Sequence, residues 1–221
     1  MMKVDRRAFL GKLAGTAAGV TALSAWTASV SAQGSQPAEG TQYVKLATPQ
    51  PVSVPGKIEV LEFFSYACPH CFALETYLEP WAKKLPADVS FKRIPVPFLA
   101  SADNLMRSYF AFESLGIVDK MTAPMFTAMN VNRQRLATPD EVAALVEKNG
   151  GDKQAFLAAT KSFGVQNSMV RAKKMLTDYG VDSTPTFIVQ GEFLTSPATA
   201  GGHPQALAVT DFLIDKVRRK A

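Results

Sequence analysis

The chain contains two cysteines, Cys68 and Cys71, separated only by Pro69 and His70. A thiolate attacks disulfides, so two thiols this close can make and break a bond of their own and exchange it with others. As a structural staple the pair is weak, because so short a loop barely restricts the unfolded chain. A zinc site takes about four ligands, whereas the only other imidazoles are His70 and His203. Thiol–disulfide exchange is the chemistry that suits this spacing best.

The residues downstream say where the pair sits. Phe72, Leu74, Tyr77, Leu78 and Trp81 recur at helical spacing, Pro69 suits a first turn, and Lys83, Lys84 and Pro86 mark the end. Pro80 falls inside and is expected to kink the helix. Cysteines in a first turn lie at the positive end of the helix dipole and near unpaired backbone N–H groups, with the His70 imidazole between them. All three favour a thiolate at Cys68, read here as the exposed, attacking thiol, with Cys71 the more buried, resolving one. An anion that only the reduced form possesses favours reduction of the disulfide, so the couple should be oxidising. Outside this context His70 would read as an ordinary surface residue.

Several elements must position the pair. Lys57 to Phe64 is a β-rich run with apolar residues on both faces once Glu62 is set aside, the mark of a central strand. Tyr43 to Leu46 suits an edge strand, and Val89 to Val96 a strand parallel to the central one across a βαβ unit. From about 100 to 179 the pattern is helical, near 103–115, 119–129, 139–148, 152–162 and 166–179. Thr138-Pro139-Asp140-Glu141 reads as a start signal and Asn149-Gly150-Gly151 as a stop. Strands return at Thr186 to Val189 and Phe193 to Thr195 around a Gln190-Gly191-Glu192 turn, and a helix follows from Pro204 to Arg219. His203 reads as part of a helix-start loop, and Phe72, Tyr77 and Trp81 as core. An α/β sheet domain carrying a helical insertion is expected, with its first part at 33–99, the insertion at 100–171 and its second part at 172–221.

With these elements in place, Leu61-Glu62-Phe63-Phe64-Ser65-Tyr66-Ala67-Cys68-Pro69-His70-Cys71 and the downstream Thr184-Pro185-Thr186-Phe187 resemble the DsbA family of periplasmic dithiol oxidases. The likeness covers nearly all of the chain after residue 32 in element order. It implies a thioredoxin fold with an inserted helical domain, donation of the disulfide to reduced, unfolded exported proteins, and reoxidation by a DsbB-like membrane quinone reductase. It implies a cis Pro185 beside the dithiol, where the backbone of Thr184 would receive an extended substrate; a plain strand-entry proline is the alternative. It further implies that Glu62 is a buried carboxylate under the dithiol that helps move protons, paired with Lys92 on the next strand; by itself Glu62 could equally end a strand and face water. No cofactor, metal or nucleic-acid partner is implied, and a monomer is expected.

The first residues belong to a different account. Lys3, Arg6 and Arg7 precede a stretch rich in Ala, Gly, Thr, Leu and Val that ends at Val30-Ser31-Ala32, which reads as a signal peptide at 1–32 cleaved after Ala32. Asp5 to Lys12 resembles a twin-arginine export signal, with the general secretory route as the alternative. Cleavage removes Lys3, Arg6, Arg7 and Lys12 against Asp5, so the formal charge of +5 falls to +2. The remaining lysines and arginines are scattered, which argues against nucleic acid. Two rival functions remain open: a reductase or isomerase of the same fold, and a peptide-binding chaperone that makes no chemical use of its cysteines.

Overall fold

The computed structural model describes residues 36–98 and 102–220; the expected signal segment and the expected start of the helical insertion lie outside the described residues. In chain order come β1 (Val44–Lys45), β2 (Ile58–Phe64), α1 (Pro69–Ala82) and β3 (Val89–Pro95). Five helices follow: α2 (Ala102–Leu115), α3 (Val118–Phe126), α4 (Pro139–Lys148), α5 (Lys153–Thr160) and α6 (Phe163–Tyr179). The chain closes with β4 (Thr186–Val189), β5 (Phe193–Thr195), α7 (Pro197–Ala200) and α8 (His203–Arg218).

All seven residues of β2 are buried, which requires cover on both faces and neighbours on both edges. The sheet order β1-β5-β4-β2-β3 provides the neighbours. β2 runs parallel to β3 and antiparallel to β4, and β4 and β1 both pair antiparallel with β5. Side chains alternate between faces along a strand. Val60 therefore packs with Leu74 and Leu78 of α1 and with Leu213 and Ile214 of α8. Leu61 and Phe63, one residue out of phase, meet Ile188 of β4 and Leu176 and Tyr179 of α6. The architecture is the expected α/β one, a mixed sheet with helices on both sides.

Local chemistry sets most element ends. Thr138 accepts from the Glu141 backbone N–H at 3.3 Å while the Glu141 carboxylate accepts from the Thr138 N–H at 3.0 Å, a reciprocal cap that starts α4 where the sequence places it. Gly180 closes α6 in the left-handed conformation at φ 62°, which costs glycine nothing. The β4–β5 turn has positive φ at both Gln190 and Gly191, the geometry that matches the twist of a hairpin. α7 is an addition to the sequence reading, capped by Ser196 and Thr199. Pro80 lies within α1, which continues to Ala82.

Helix α6 serves two clusters. Its Val165, Met169 and Ala172 pack with helices α2 to α5, whereas Leu176 and Tyr179 pack on the sheet. The expected boundary at 171/172 thus falls inside one unbroken helix. The described α3 also ends earlier than expected and widens into a π-helical turn at Thr127–Val131.

Candidate active site

β2 delivers the chain to a short turn in which the Ser65 side chain accepts from the Ala67 N–H at 3.2 Å and the Ser65 carbonyl from the Cys68 N–H at 3.0 Å. Cys68 then acts as the N-cap of α1, one position before the helix proper. Pro69 follows it in the first turn, and the Cys68 sulfur accepts from the Cys71 backbone N–H at 3.4 Å. Sulfur here takes the place that a serine or aspartate oxygen usually fills at a helix start. Both cysteines are free thiols.

Sequence reasoning expects an exposed Cys68, but the residue retains only 5 % exposure, against 0 % for Cys71. The loop before β4 accounts for the difference. The Thr184 carbonyl lies 3.5 Å from the Cys68 sulfur, and the Thr184-Pro185 peptide is cis. Pro185 is buried, whereas Pro69 and His70 are exposed. Cys68 and the Thr184-Pro185 peptide, far apart in the chain, thus meet at one point.

The two thiols have opposite character. Hydrogen bonding from the Cys71 thiol is the largest influence on Cys68; with the Thr184 side chain and the backbone N–H groups of Cys71 and His70 it outweighs burial and brings the Cys68 pKa down to about 5. His70 therefore acts on this sulfur through its backbone N–H. Burial, the bond given to Cys68 and the nearby charges of Glu62 and Cys68 push Cys71 far above the thiol range. One sulfur is held as an anion at neutral pH and the other as a neutral thiol.

Glu62 is fully buried on the sheet face that carries α1. Its expected partner is Lys92, but the parallel register sets Glu62 beside Arg93 and Leu61 beside Lys92. A one-residue offset places a side chain on the opposite face. Arg93 Nε approaches the Glu62 carboxylate to 2.9 Å and its second arm bonds Glu75 of α1 at 2.6 Å. Lys92 reaches the Ser53 hydroxyl at 3.1 Å. Neither Glu62 oxygen accepts a well-aligned hydrogen bond, and burial, with help from the charges of Glu75 and Cys68 and against the pull of Arg93, raises its pKa to about 7. Burial also raises Glu75.

Further residues complete the surroundings. The Arg93 guanidinium lies over the Phe64 ring at 5.5 Å, and Phe64 meets Tyr66 edge to face at 5.1 Å. Asn130, in the π-helical turn, donates to the Tyr66 carbonyl at 2.9 Å and ties the helical segment to the turn before Cys68. Sequence reasoning places Tyr77 in the core, but it is 45 % exposed and lies parallel to the ring of His203. The buried stripe of α1 runs through Cys71, Leu74 and Leu78, which turns Tyr77 outward. Arg93, Glu75 and Asn130 escaped the sequence reading, and His203, read as part of a helix-start loop, does open α8 but also reaches the redox helix. Only Glu75 and Arg93 carried a local signal: a carboxylate one helical turn beyond Cys71, and a cation next in sequence to Lys92, the partner expected for Glu62.

Sulfurs of such unequal acidity, carried on this sheet at a helix start, make the chain a thiol–disulfide oxidoreductase of the thioredoxin type. Similarity to known proteins narrows the class. The family model for the DSBA-like thioredoxin domain matches residues 74–206. The thiol:disulfide interchange protein DsbA of Pseudomonas aeruginosa is 39% identical over 192 residues, spanning 87% of this chain and 91% of that protein. The protein of the same name from Burkholderia cepacia is 40% identical over 185 residues, 83% of this chain and 87% of the relative. The crystal structure of Pseudomonas aeruginosa DsbA superposes with a TM-score of 0.80 at 39% identity, covering 83% of this chain and 96% of that one. The chain belongs to the DSBA-like thioredoxin domain family.

Proposed function

We propose that the oxidised protein donates its Cys68–Cys71 disulfide to newly exported proteins during oxidative folding. A substrate thiolate attacks the Cys68 sulfur, forming a mixed disulfide and breaking the bond to Cys71. Cys71 leaves with the electron pair and takes up a proton, because its buried site strongly disfavours the anion. Glu62, with a pKa of about 7, is suited to pass that proton. A second substrate thiolate then attacks the substrate sulfur of the mixed disulfide, and Cys68 departs as a thiolate. The substrate gains a disulfide and loses two protons, one of which ends on Cys71 and the other in solvent. The protein gains two electrons.

The observation that carries this reading is the convergence of donors on Cys68, which makes it a good leaving group and favours the reduced protein over its disulfide. Thr184 and Pro185 would hold an extended substrate segment by strand-like pairing beside the sulfur, and Pro69 and His70 would form the exposed lip that it crosses. Reoxidation would fall to a DsbB-like membrane quinone reductase, in the periplasm, after removal of residues 1–32. No helix among the described residues is long and apolar enough to cross a membrane. We further assign 33–99 and 172–221 to the sheet domain and 100–171 to the helical insertion, in a monomer.

The test is disulfide transfer to a reduced, unfolded secreted protein. Stoichiometric oxidation of the client is expected, and Cys71→Ala should remain joined to clients through Cys68. A wild-type protein that leaves the client's thiols unchanged would overturn the proposal.

A further inference from the structure

His203 opens α8, far from the cysteines in sequence and with no part in the exchange chemistry described above. Gly202, at φ 141°, turns the chain so that the imidazole lies against the redox helix. Its ring is parallel to that of Tyr77 within 6° at 6.4 Å and stacked with that of His70 at 6.3 Å. The Nε2 atom lies 3.1 Å from the His70 carbonyl oxygen. A carbonyl can only accept, so Nε2 carries the proton and donates it.

That carbonyl belongs to the peptide group whose other end is the Cys71 N–H, and the Cys71 N–H is bonded to the Cys68 sulfur at 3.4 Å. Three groups thus form a line: imidazole N–H to the His70 oxygen, through the His70–Cys71 peptide, and on from the Cys71 N–H to the Cys68 sulfur. A donor bonded to a peptide oxygen draws electron density from its nitrogen and strengthens the N–H at the far end. The gain is largest when the acceptor is an anion. A disulfide sulfur accepts poorly, so the relay favours the reduced protein.

We propose that His203 is a positioning residue for thiol–disulfide exchange: by bonding the His70 carbonyl it polarises the peptide that holds negative charge on Cys68, and so makes the disulfide more oxidising. This rests on the proposed function for its biological meaning, but the relay acts on the thiolate whether or not clients are oxidised. α8 keeps its place without the imidazole, because Leu213 and Ile214 pack on the sheet and Asp211 accepts from the Trp81 ring N–H at 2.8 Å.

The experiment compares wild type, His203→Phe and His203→Gln. Phenylalanine keeps a stacking ring without a donor, and glutamine restores an amide N–H. Two quantities are read: the equilibrium with glutathione, and the thiolate titration of Cys68 by ultraviolet absorbance, with melting curves of both redox forms alongside. His203→Phe should shift the equilibrium toward the disulfide by about three- to tenfold, tenfold being about 30 mV, and should raise the Cys68 midpoint. His203→Gln should lie within about twofold of wild type, since the donor to the peptide is regained. An unchanged His203→Phe, or equal shifts in both variants, would overturn the relay. A wild type that titrates as described but oxidises no client would overturn the proposed function and leave the relay standing.

Discussion

Glu62 of β2 lies directly beside Arg93 of β3, with the Arg93 Nε 2.9 Å from its carboxylate. The pair is buried beneath the first turns of α1, and the second arm of Arg93 binds Glu75 on that helix. One cation thus serves two carboxylates under the dithiol. The arrangement ties the buried acid beneath the redox helix to the pairing of β2 with the edge strand β3.

The buried acid should make stability depend on pH. Burial raises the Glu62 pKa to about 7, from the 4.5 of an ordinary glutamate. Between those values the folded protein holds a proton that the unfolded chain has released, so stability falls as pH rises through this window. The oxidised form should show the loss in denaturant titrations, since burial is the main cause and Cys68 is then uncharged. Glu62→Gln should flatten the profile between pH 5 and 7, a range bounded by the shift itself. An equally steep profile in the variant would show that another group is responsible.

Removing the shared cation should cost more than removing the acid. In Arg93→Met, Glu62 and Glu75 lose their counter-charge, and breaking such a buried pair typically costs about 3 to 5 kcal/mol. The loss should be greatest at mildly alkaline pH and shrink in acid, where Glu62 is neutral. Chemical denaturation at two pH values checks this. A small, pH-independent effect would mean that solvent already screens the pair.

The redox potential should change slope with pH. With Cys68 at about 5 and Cys71 far higher, reduction takes up two protons below pH 5 and one above it. The potential should fall by about 60 mV per pH unit in acid and about 30 mV per unit from there through neutrality. Iodoacetamide should likewise modify Cys68 with a midpoint near 5, since the thiolate is the reactive form. A single steep slope through pH 7, with alkylation rising only near the ordinary thiol range, would contradict the thiolate assignment.

A fourth expectation concerns the β4–β5 turn, which bonds Glu59 at the end of β2 remote from Cys68. Gly191 has φ +63°, and a Cβ there would sit 2.1 Å from the Gln50 carbonyl oxygen. Gly191→Ala should therefore destabilise by at least the roughly 1 to 3 kcal/mol of a left-handed non-glycine residue. Thermal melting measures the loss, and a neutral substitution would imply that the Gln50 segment yields freely.

Features whose causes are local could be read from residue types and their spacing. A cysteine pair followed by a helical apolar stripe specifies a dithiol in a first turn. Alternation and turn residues specify Thr186 to Val189 and Phe193 to Thr195 as strands, and these are the bounds observed for β4 and β5. Thr138 and Glu141 specify where α4 starts, because a cap is made by residues three apart. Tertiary structure alone decided what meets what. Arg93 rather than Lys92 faces Glu62 because register selects one face of a strand over the other, and a single residue of offset exchanges them. Thr184 covers Cys68, and His203 reaches the His70 carbonyl, because β4 and α8 return to the redox helix after the five intervening helices. Contacts at such separations follow from the packing of whole elements, which no local spacing encodes.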